Sequence, residues 1–242
     1  MTSYPVHVVF PGRLVFVGFG SIGQGVLPLI LRHVGIQPDQ VTIVTADEAG
    51  EKIAQEYGVR FVKHALTRQN YKSVLDPIVG RGDFLLNLSV DVSSLALIKF
   101  CWEKGSLYLD TCTEPWPGGY TDPTISPSRR TNYALREEAL TLRDSKQRAP
   151  TAVITHGANP GLVSHLVKQA LLNIASDTGV TVEEPNTRGE WAALAHLLGV
   201  KVIHIAERDT QVGSRPKEPN EFVNTWSVDG FVGEGCQPAE LG

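Results

Sequence analysis

A glycine-rich turn between a predicted strand and a predicted helix constrains the fold of this chain more than any other feature. Gly18, Gly20 and Gly23 form a G-x-G-x-x-G pattern directly after the apolar run 13–17, and a helical pattern follows. The first glycine of such a turn permits the tight bend, the second admits a pyrophosphate close to the backbone, and the third lets the helix pack on the strand. Phosphate groups then lie at the helix N-terminus. The pattern predicts dinucleotide contacts at Gly18, Gly20, Ser21, Ile22 and Gly23.

An acidic residue after the second predicted strand indicates which dinucleotide is bound. Asp47 lies about 24 residues beyond Gly23 and just past the apolar run 41–45. A carboxylate at this place accepts hydrogen bonds from a ribose 2′-hydroxyl group and repels a 2′-phosphate group. Asp47 therefore favours NAD over NADP as the cofactor. The alternative, that the glycines serve only a backbone turn, is weakened by the strand and helix patterns on either side of them.

Short apolar runs alternate with helical patterns through the first 160 residues. The runs typical of strands buried on both faces are 13–17, 41–45, 59–62, 83–88, 106–110 and 151–155. Strand–helix alternation of this kind is typical of the Rossmann architecture, a doubly wound parallel sheet of the α/β class. We therefore predict that residues 1–160 form an NAD-binding Rossmann domain.

The pattern changes in the last third of the chain. A helix is predicted over about 187–198, and strands over 201–206 and 222–231 with a proline-rich link between them. We expect 161–242 to form the first part of an α+β substrate domain. Within the Rossmann domain, the stretch 115–131 is rich in proline and glycine and is predicted to be a long loop after a strand, where active-site segments tend to lie.

Composition and charge exclude several classes of function. The 242 residues include 22 basic and 26 acidic side chains, so the formal net charge is −4, whereas an electrostatic nucleic-acid binder carries a basic surplus. We expect no targeting signal and no membrane span, because no apolar stretch approaches the roughly 20 residues that cross a bilayer. The three cysteines lack metal-ligand spacing and cannot all pair as disulfides. We therefore expect no metal site and a cytoplasmic location.

Polar residues follow the later predicted strands, at the edge where a dinucleotide would lie. The segments 87–91, 110–116 and 156–161 each come directly after an apolar run, and ligands of doubly wound folds bind outside the carboxyl ends of the strands. Asn159 precedes Pro160, which also suits a helix N-cap followed by proline at the first helical position. Capping and cofactor contact both stay open for Asn159.

Two side chains in these segments invite a catalytic interpretation, and a structural one is favoured for both. His156 is more often a hydrogen-bonded residue than a catalytic base. Cys112 is more often a small buried residue than a nucleophile, because the sequence assigns it no partner base.

Three residues of the last third would suit a cationic ligand if the fold brings them together. Glu207 closes an apolar run, Trp226 lies in a strand-like run, and Glu234 is flanked by two glycines. Taken singly, a tryptophan usually lies in the core and a glutamate is usually solvated. Together, the carboxylates would neutralise the ammonium groups of a diamine, and the indole face would hold a cation.

The chain resembles the bacterial homospermidine synthases of the saccharopine dehydrogenase-like superfamily in six segments: VFVGFGSIGQGVLPL, VTIVTADE, NLSVDVSS, YLDTCTEPW, HGANPGLVSH and NTWSVDGFVGEG. The glycines are generic to Rossmann folds, whereas the last three segments are specific. The resemblance implies a Rossmann domain joined to an α+β substrate domain, in a homodimer. It implies an NAD-dependent aminoalkyl transferase that joins two putrescines, or putrescine and spermidine, into homospermidine. The implied route is oxidation to an imine, loss of ammonia, Schiff-base formation and re-reduction.

The resemblance also implies roles for individual residues. Trp226 would stabilise a cationic intermediate, and the implied catalytic residues are Trp226, Glu207, Glu234 and Asn159. The implied substrate-binding residues are Asp91, Glu114, Glu207, Trp226 and Glu234. Beyond the glycine-rich turn and Asp47, the implied cofactor-binding residues are Ser89, Val90, Thr111 and Asn159.

Two alternatives stay open, and the length of the chain bears on the second of them. Family members are much longer, so we expect the rest of the substrate domain and much of the dimer contact to be absent here. A saccharopine- or carboxyspermidine-type NAD(P)-dependent amine dehydrogenase would need an arginine for a substrate carboxylate, and Arg188, Arg208 and Arg215 are available. An inactive NAD-binding module would bind NAD without turnover.

Overall fold

The computed structural model describes residues 4–143, 148–208, 210 and 212–238. The chain forms two compact units. One comprises the described residues of Met1–Thr155 and Gly213–Gly242, and the other comprises those of His156–Val212. The sequence pattern predicts a single domain over 161–242, whereas the structure groups the segment from Gly213 onward with the first unit. In the described part of the chain, every helix is too short or too polar to cross a membrane.

The first unit is built on a parallel sheet. The strands of this unit are β1 (Val8–Val9), β2 (Leu14–Val17), β3 (Val34–Gly35), β4 (Val41–Thr45), β5 (Arg60–Lys63), β6 (Phe84–Asn87), β7 (Leu107–Asp110) and β8 (Ala152–Val153). Strands β1 and β3 pair with each other in a separate two-stranded sheet. The other six pair in the order β5-β4-β2-β6-β7-β8, and all five pairings are parallel. Numbered among themselves, these strands have the Rossmann order 3-2-1-4-5-6, which reverses between β2 and β6. The α/β fold class predicted from the sequence is confirmed.

Helices of the first unit pack on both faces of this sheet. The helices of the first unit are α1 (Ser21–His33), α2 (Glu51–Glu56), α3 (Tyr71–Leu75), α4 (Ser94–Lys104), α5 (Asn132–Leu140) and α8 (Val228–Gly235), and those of the second unit are α6 (Leu162–Asp177) and α7 (Arg188–Leu197). Successive residues of a strand point to opposite faces. Val15 and Val17 accordingly pack with residues of α3 and α4, whereas Leu14 and Phe16 pack with residues of α1 and α2. Because both faces of β2 are covered, its sequence is continuously apolar.

Both strands predicted for the last third are wrong. Residues 201–206 belong to no strand. The segment 222–231 leads into α8, which begins at Val228 because the Oγ atom of Ser227 accepts a hydrogen bond from the Gly230 N–H at 3.0 Å. Both segments have the composition of strands, but within the described residues neither has a neighbouring strand to pair with. The helix predicted over 187–198 is present as α7.

Candidate dinucleotide- and cation-binding site

The glycine-rich turn follows β2 at the point where the strand order reverses, beside the carboxyl end of β6. Gly18 has a φ of +86°, in the left-handed region that favours glycine. A Cβ atom at Gly18 would lie 2.7 Å from the Cα and N atoms of Ser89, in the segment after β6. Both the backbone conformation and the close approach of these two segments therefore require glycine at position 18.

The second and third glycines have different surroundings. Gly20 is exposed, and a Cβ atom there would meet no atom within 4 Å. Gly20 is also the N-cap of α1, and no described side chain caps this helix, so the N–H groups of exposed Ser21 and Ile22 have no side-chain acceptor. Gly23 is buried, and a Cβ atom there would lie 2.9 Å from the Phe19 ring. The turn thus combines an open backbone with the positive end of a helix dipole, which is what a pyrophosphate group needs.

Asp47 lies at the same edge of the sheet, just beyond the end of β4, which pairs with β2. Its side chain is exposed, and its Oδ1 atom accepts a hydrogen bond from the Ala49 N–H at 2.9 Å. This is the place where a carboxylate can bind ribose hydroxyl groups in a Rossmann fold.

Three further predicted cofactor residues follow the neighbouring strands. Ser89 and Val90 come after β6, Thr111 comes after β7, and all three are half-buried. The side chain of Asn87 fixes the position of Ser89. Its Oδ1 atom accepts hydrogen bonds from the Ser89 N–H at 3.2 Å and from the Ser89 hydroxyl at 2.6 Å. Since β2, β6 and β7 are adjacent and parallel, these residues share the edge that carries the glycine-rich turn.

A small acidic pocket lies next to this edge, within the first unit. Its volume is about 140 Å³, below the roughly 300–1,000 Å³ of sites for drug-sized ligands, so it fits a small ligand. Three carboxylic acids from different segments contribute, and none of the described lining residues is basic. The lining residues are Val90, Asp91, Glu114, Gly118, Tyr120, Thr121, Asp229, Gly230 and Gly233.

Burial and mutual repulsion perturb the carboxyl groups of this pocket. Burial raises the pKa of Glu114 to about 7; a hydrogen bond from the Asp91 backbone opposes this change, and the charges of Asp91 and Glu234 add to it. Desolvation and the charge of Asp229 raise the pKa of Asp91, which has a φ of +63°. A bound cation would favour the ionised form of all these groups.

Helix α8 carries Glu234 close to this pocket, and Trp226 lies just before the helix, although neither is among the lining residues. Partial desolvation raises the pKa of Glu234, and its charge acts on Glu114. The ring of Trp226 is half-buried beside Gly230, where an added Cβ atom would lie 3.2 Å from the ring carbon Cζ3. The segment predicted as a strand therefore carries its two candidate residues on or beside a helix. The structure brings three predicted substrate residues close together, Asp91, Glu114 and Glu234, and places the Trp226 ring beside Gly230 of the pocket lining.

Cys112 lies near these carboxyl groups and does not have the surroundings of a nucleophile. Burial raises the pKa of its thiol, and the charges of Glu114, Glu234 and Asp110 raise it further. The thiolate is therefore disfavoured, in agreement with a structural role.

Asn159 lies in the second unit, where its predicted capping role is wrong. Helix α6 begins at Leu162, its N-cap is Gly161, and no described side chain caps it. Gly161 has a φ of +127°, which separates Pro160 from the first helical turn, and the Asn159–Pro160 peptide bond is cis. Asn159 is exposed, and its contact with the cofactor stays a prediction.

Two other predicted residues also belong to the second unit. Glu207 is exposed in a segment without regular secondary structure. The ring of His156 contacts that of His165 edge to face, with their centroids 5.9 Å apart. The substrate role of Glu207 stays a prediction.

The arginines considered for a carboxylate substrate do not line the acidic pocket. Arg215 is paired with Glu218, at 3.2 Å, and with Glu221. Arg188 begins α7, and Arg208 is exposed, both in the second unit. The described lining of the pocket therefore favours a ligand without a carboxylate.

Sequence reasoning missed two residues of the pocket, Asp229 and Tyr120. The Tyr120 hydroxyl donates to the Thr113 carbonyl oxygen at 3.1 Å, and this residue lies in the loop 115–131 that was expected to reach the site. Asp229 lies in the first turn of α8. A helical interpretation of this segment would have found it, because 229, 230, 233 and 234 share one helix face.

Comparisons with known proteins agree with this geometry. The family model of the saccharopine dehydrogenase NADP binding domain matches residues 14–154. A homospermidine synthase from Blastochloris viridis is 54% identical to this chain over 100% of its length. One from Mesorhizobium japonicum is 47% identical over 99% of this chain's length. The crystal structure of a homospermidine synthase from Legionella pneumophila in complex with NAD is 50% identical over 93% of this chain, with a TM-score of 0.81. The resemblance found in the sequence is confirmed. The chain spans about half the length of these relatives, 51%, 50% and 46% respectively.

Proposed function

The chain belongs to the family of saccharopine dehydrogenase NADP-binding domains, and we propose that it forms the NAD-binding part of a homospermidine synthase. The proposed reaction joins two putrescine molecules into homospermidine and releases ammonia; putrescine and spermidine are the alternative pair of substrates. The observation that carries the proposal is the acidic pocket, whose described lining has no basic residue, beside the open end of the glycine-rich turn. The identity to homospermidine synthases along the whole chain supports it.

The residues of the turn fit a dinucleotide. The exposed backbone at Gly20 and the uncapped N-terminus of α1 would hold the pyrophosphate. Asp47 would bind the ribose hydroxyl groups and repel a 2′-phosphate group, so we propose NAD rather than NADP, as in the Legionella pneumophila relative. NAD would supply reversible hydride exchange with the carbon that carries the substrate amine.

The acidic pocket is proposed to hold the diamine. Asp91, Glu114 and Glu234 would neutralise ammonium groups, and the absence of an arginine from the described lining argues against an amino-acid carboxylate. Because the pKa of Glu114 is raised to about 7, this carboxyl group can exchange a proton with a substrate amine near neutral pH. The indole of Trp226 would stabilise a cationic imine by about 2 kcal/mol when desolvated.

Several parts of the proposal concern the whole protein. From the resemblance, catalytic roles are proposed for Asn159 and Glu207, and the full-length protein is proposed to be a cytoplasmic homodimer. A small diamine is the proposed partner, and neither a nucleic acid nor a membrane is expected to bind.

A product assay tests the function and separates it from both alternatives. A version extended to the length of the relatives is incubated with putrescine and NAD, and homospermidine, ammonia and NADH are measured. Ammonia and homospermidine without net NADH support the synthase. Net accumulation of NADH would instead indicate an amine dehydrogenase. Binding of NAD without any turnover would indicate an inactive module.

A further inference from the structure

A buried chain of hydrogen bonds crosses the carboxyl ends of β6, β7 and β8. Asn87, Tyr108 and Asp110 form it, and their exposed fractions are 2%, 1% and 0%. The Nδ2 atom of Asn87 donates to Oη of Tyr108 at 3.2 Å, and this hydroxyl donates to Oδ2 of Asp110 at 2.8 Å. Oδ1 of Asp110 accepts a hydrogen bond from the Thr155 N–H at 2.6 Å. All donors along this chain therefore point toward Asp110.

The same chain reaches the glycine-rich turn through Asn87. The Oδ1 atom of this residue accepts hydrogen bonds from both the N–H and the Oγ of Ser89. An amide that accepts at one end donates at the other, so the Ser89 donors and the Tyr108 acceptor fix one orientation of the Asn87 side chain. Ser89 in turn approaches Gly18 so closely that only glycine fits there. The position of the Ser89 backbone thus depends on a polar chain that ends at Asp110.

Asp110 has no cationic partner among the described ion pairs. Burial raises its pKa to about 6, and hydrogen bonds from Thr155, Tyr108 and Ser94 oppose this change. Burial also raises the pKa of Tyr108, so this hydroxyl keeps its proton and remains a donor. A buried carboxyl group without a cation lowers stability, and such groups cluster at functional sites.

We propose that Asp110 and Tyr108 are positioning residues of the dinucleotide site, which act through Asn87 to hold the Ser89 backbone against Gly18. This inference rests on the proposed function, because it takes the edge at Gly18 and Ser89 as the place where NAD binds. Neither the sequence motifs nor the family resemblance gives Asp110 or Tyr108 a role.

The substitution Asp110→Asn keeps the shape of the side chain and changes its polarity. Because the Thr155 N–H needs an oxygen, the new NH₂ group faces Tyr108, whose hydroxyl then loses the acceptor for its own proton. Turning over the Asn87 amide offers that proton an oxygen, but it places the NH₂ group against the N–H of Ser89 and removes that acceptor. We expect this variant to shift the amide NMR signal of Ser89 and to weaken NAD binding about tenfold.

A double-mutant cycle with Tyr108→Phe tests the inference. The two readouts are the Ser89 amide signal in the chain without ligand and the Kd for NAD from calorimetry. Tyr108→Phe removes the hydroxyl that links Asn87 to Asp110, and alone it weakens NAD binding severalfold. In that background, Asp110→Asn should change the Kd less than about twofold. Equal effects of Asp110→Asn in both backgrounds would overturn the inference.

A matched control and a second variant keep the test decisive. Ser106 is a buried hydroxyl at the opposite end of β7, where its Oγ atom bonds the Cys101 carbonyl oxygen at 3.4 Å. Ser106→Ala should lower stability and leave the Ser89 signal and the Kd for NAD unchanged. If Asp110→Asn does not fold, Tyr108→Phe alone decides, since an unmoved Ser89 signal overturns the inference. Failure of the unsubstituted chain to bind NAD would overturn the proposed function. The Ser89 signal is measured without ligand, so it tests the positioning role independently of NAD binding.

Discussion

The glycine-rich turn and the acidic pocket share one edge of the sheet, yet they are built by opposite means. The turn consists of consecutive residues, and its candidate anion-binding groups are backbone N–H groups at the start of α1, whose first turn has no acidic residue. The pocket is assembled from the segments after β6 and β7 and from α8, and its charged groups are carboxyl side chains. A backbone site depends on chain conformation alone, whereas a buried carboxylate site also depends on pH and on what lies opposite it.

The largest expected effect comes from the turn. Gly18→Ala forces a side chain onto a φ of +86° and places its Cβ atom 2.7 Å from Ser89. We expect the free energy of unfolding to fall by about 2–4 kcal/mol, from backbone strain together with overpacking. Denaturation in urea measures this change.

Gly20→Ala is the matched control, because its Cβ atom would enter open space. We expect its free energy of unfolding to stay close to that of the unsubstituted chain and its affinity for NAD to fall, since the methyl group would occupy the place of the phosphates. Equal stability losses at the two glycines would contradict the different roles assigned to them.

The pocket should show its dependence on pH in the stability of the chain. Burial raises the pKa of Glu114 from its ordinary value of 4.5 to about 7. Between these values the folded state keeps a proton that the unfolded state has released, so the free energy of unfolding falls as pH rises from 4.5 to 7. Glu114→Gln should reduce this decrease in the free energy of unfolding by about 1–3 kcal/mol. Urea denaturation of both proteins across this range measures the difference, and parallel pH curves would refute it.

Diamine binding should depend on pH in the opposite direction. A cation binds the ionised pocket, so the affinity for putrescine should rise with pH and reach half of its increase near the Glu114 pKa of about 7. Glu114→Gln should weaken binding about tenfold at pH 8 and flatten this profile. Calorimetry in two buffers of different ionisation enthalpy measures the affinity and the protons released. Binding without proton release at pH 6.5 would argue against a role for Glu114.

A smaller effect is expected where the turn relies on a side chain. Asp47→Asn removes the charge that would repel a 2′-phosphate group. We expect the affinity for NAD to fall severalfold and the preference for NAD over NADP to narrow, as measured by titration with both dinucleotides. An unchanged preference would mean that other groups select the cofactor.

The sequence predicts the turn far better than the pocket, and the reason is physical. Gly18, Gly20 and Gly23 lie within a single turn, so their spacing alone defines the backbone they form. The strands of the six-stranded sheet were also predictable, because burial makes β2, β4 and β6 almost continuously apolar, and shorter apolar runs mark the more exposed edge strands β5 and β8. Their predicted positions are confirmed, with β8 shorter than the predicted run.

The remainder depends on contacts between distant segments. The apolar residues of 222–231 are compatible with a strand or a helix, and the Ser227 cap together with packing beside the loops after β6 and β7 produces a helix. The sequence shows Asp110 only as one of several polar residues that follow strands. Its link to Ser89 through Tyr108 and Asn87 depends on the register of β6 and β7, which the sequence does not define.

The smallest expected effect concerns Asp229, which the strand interpretation hid. Asp229 is exposed on the rim of the pocket, and its charge raises the pKa of Asp91. Asp229→Asn should therefore lower the pKa of Asp91 and weaken putrescine binding only two- to threefold, because solvent and salt screen an exposed charge. Asp39→Asn, an exposed carboxylate after α1, is the matched control and should leave the affinity unchanged. Calorimetry at low and high salt distinguishes the two, and a loss from Asp229→Asn as large as that from Glu114→Gln would mean that the ligand lies on the α8 side of the pocket.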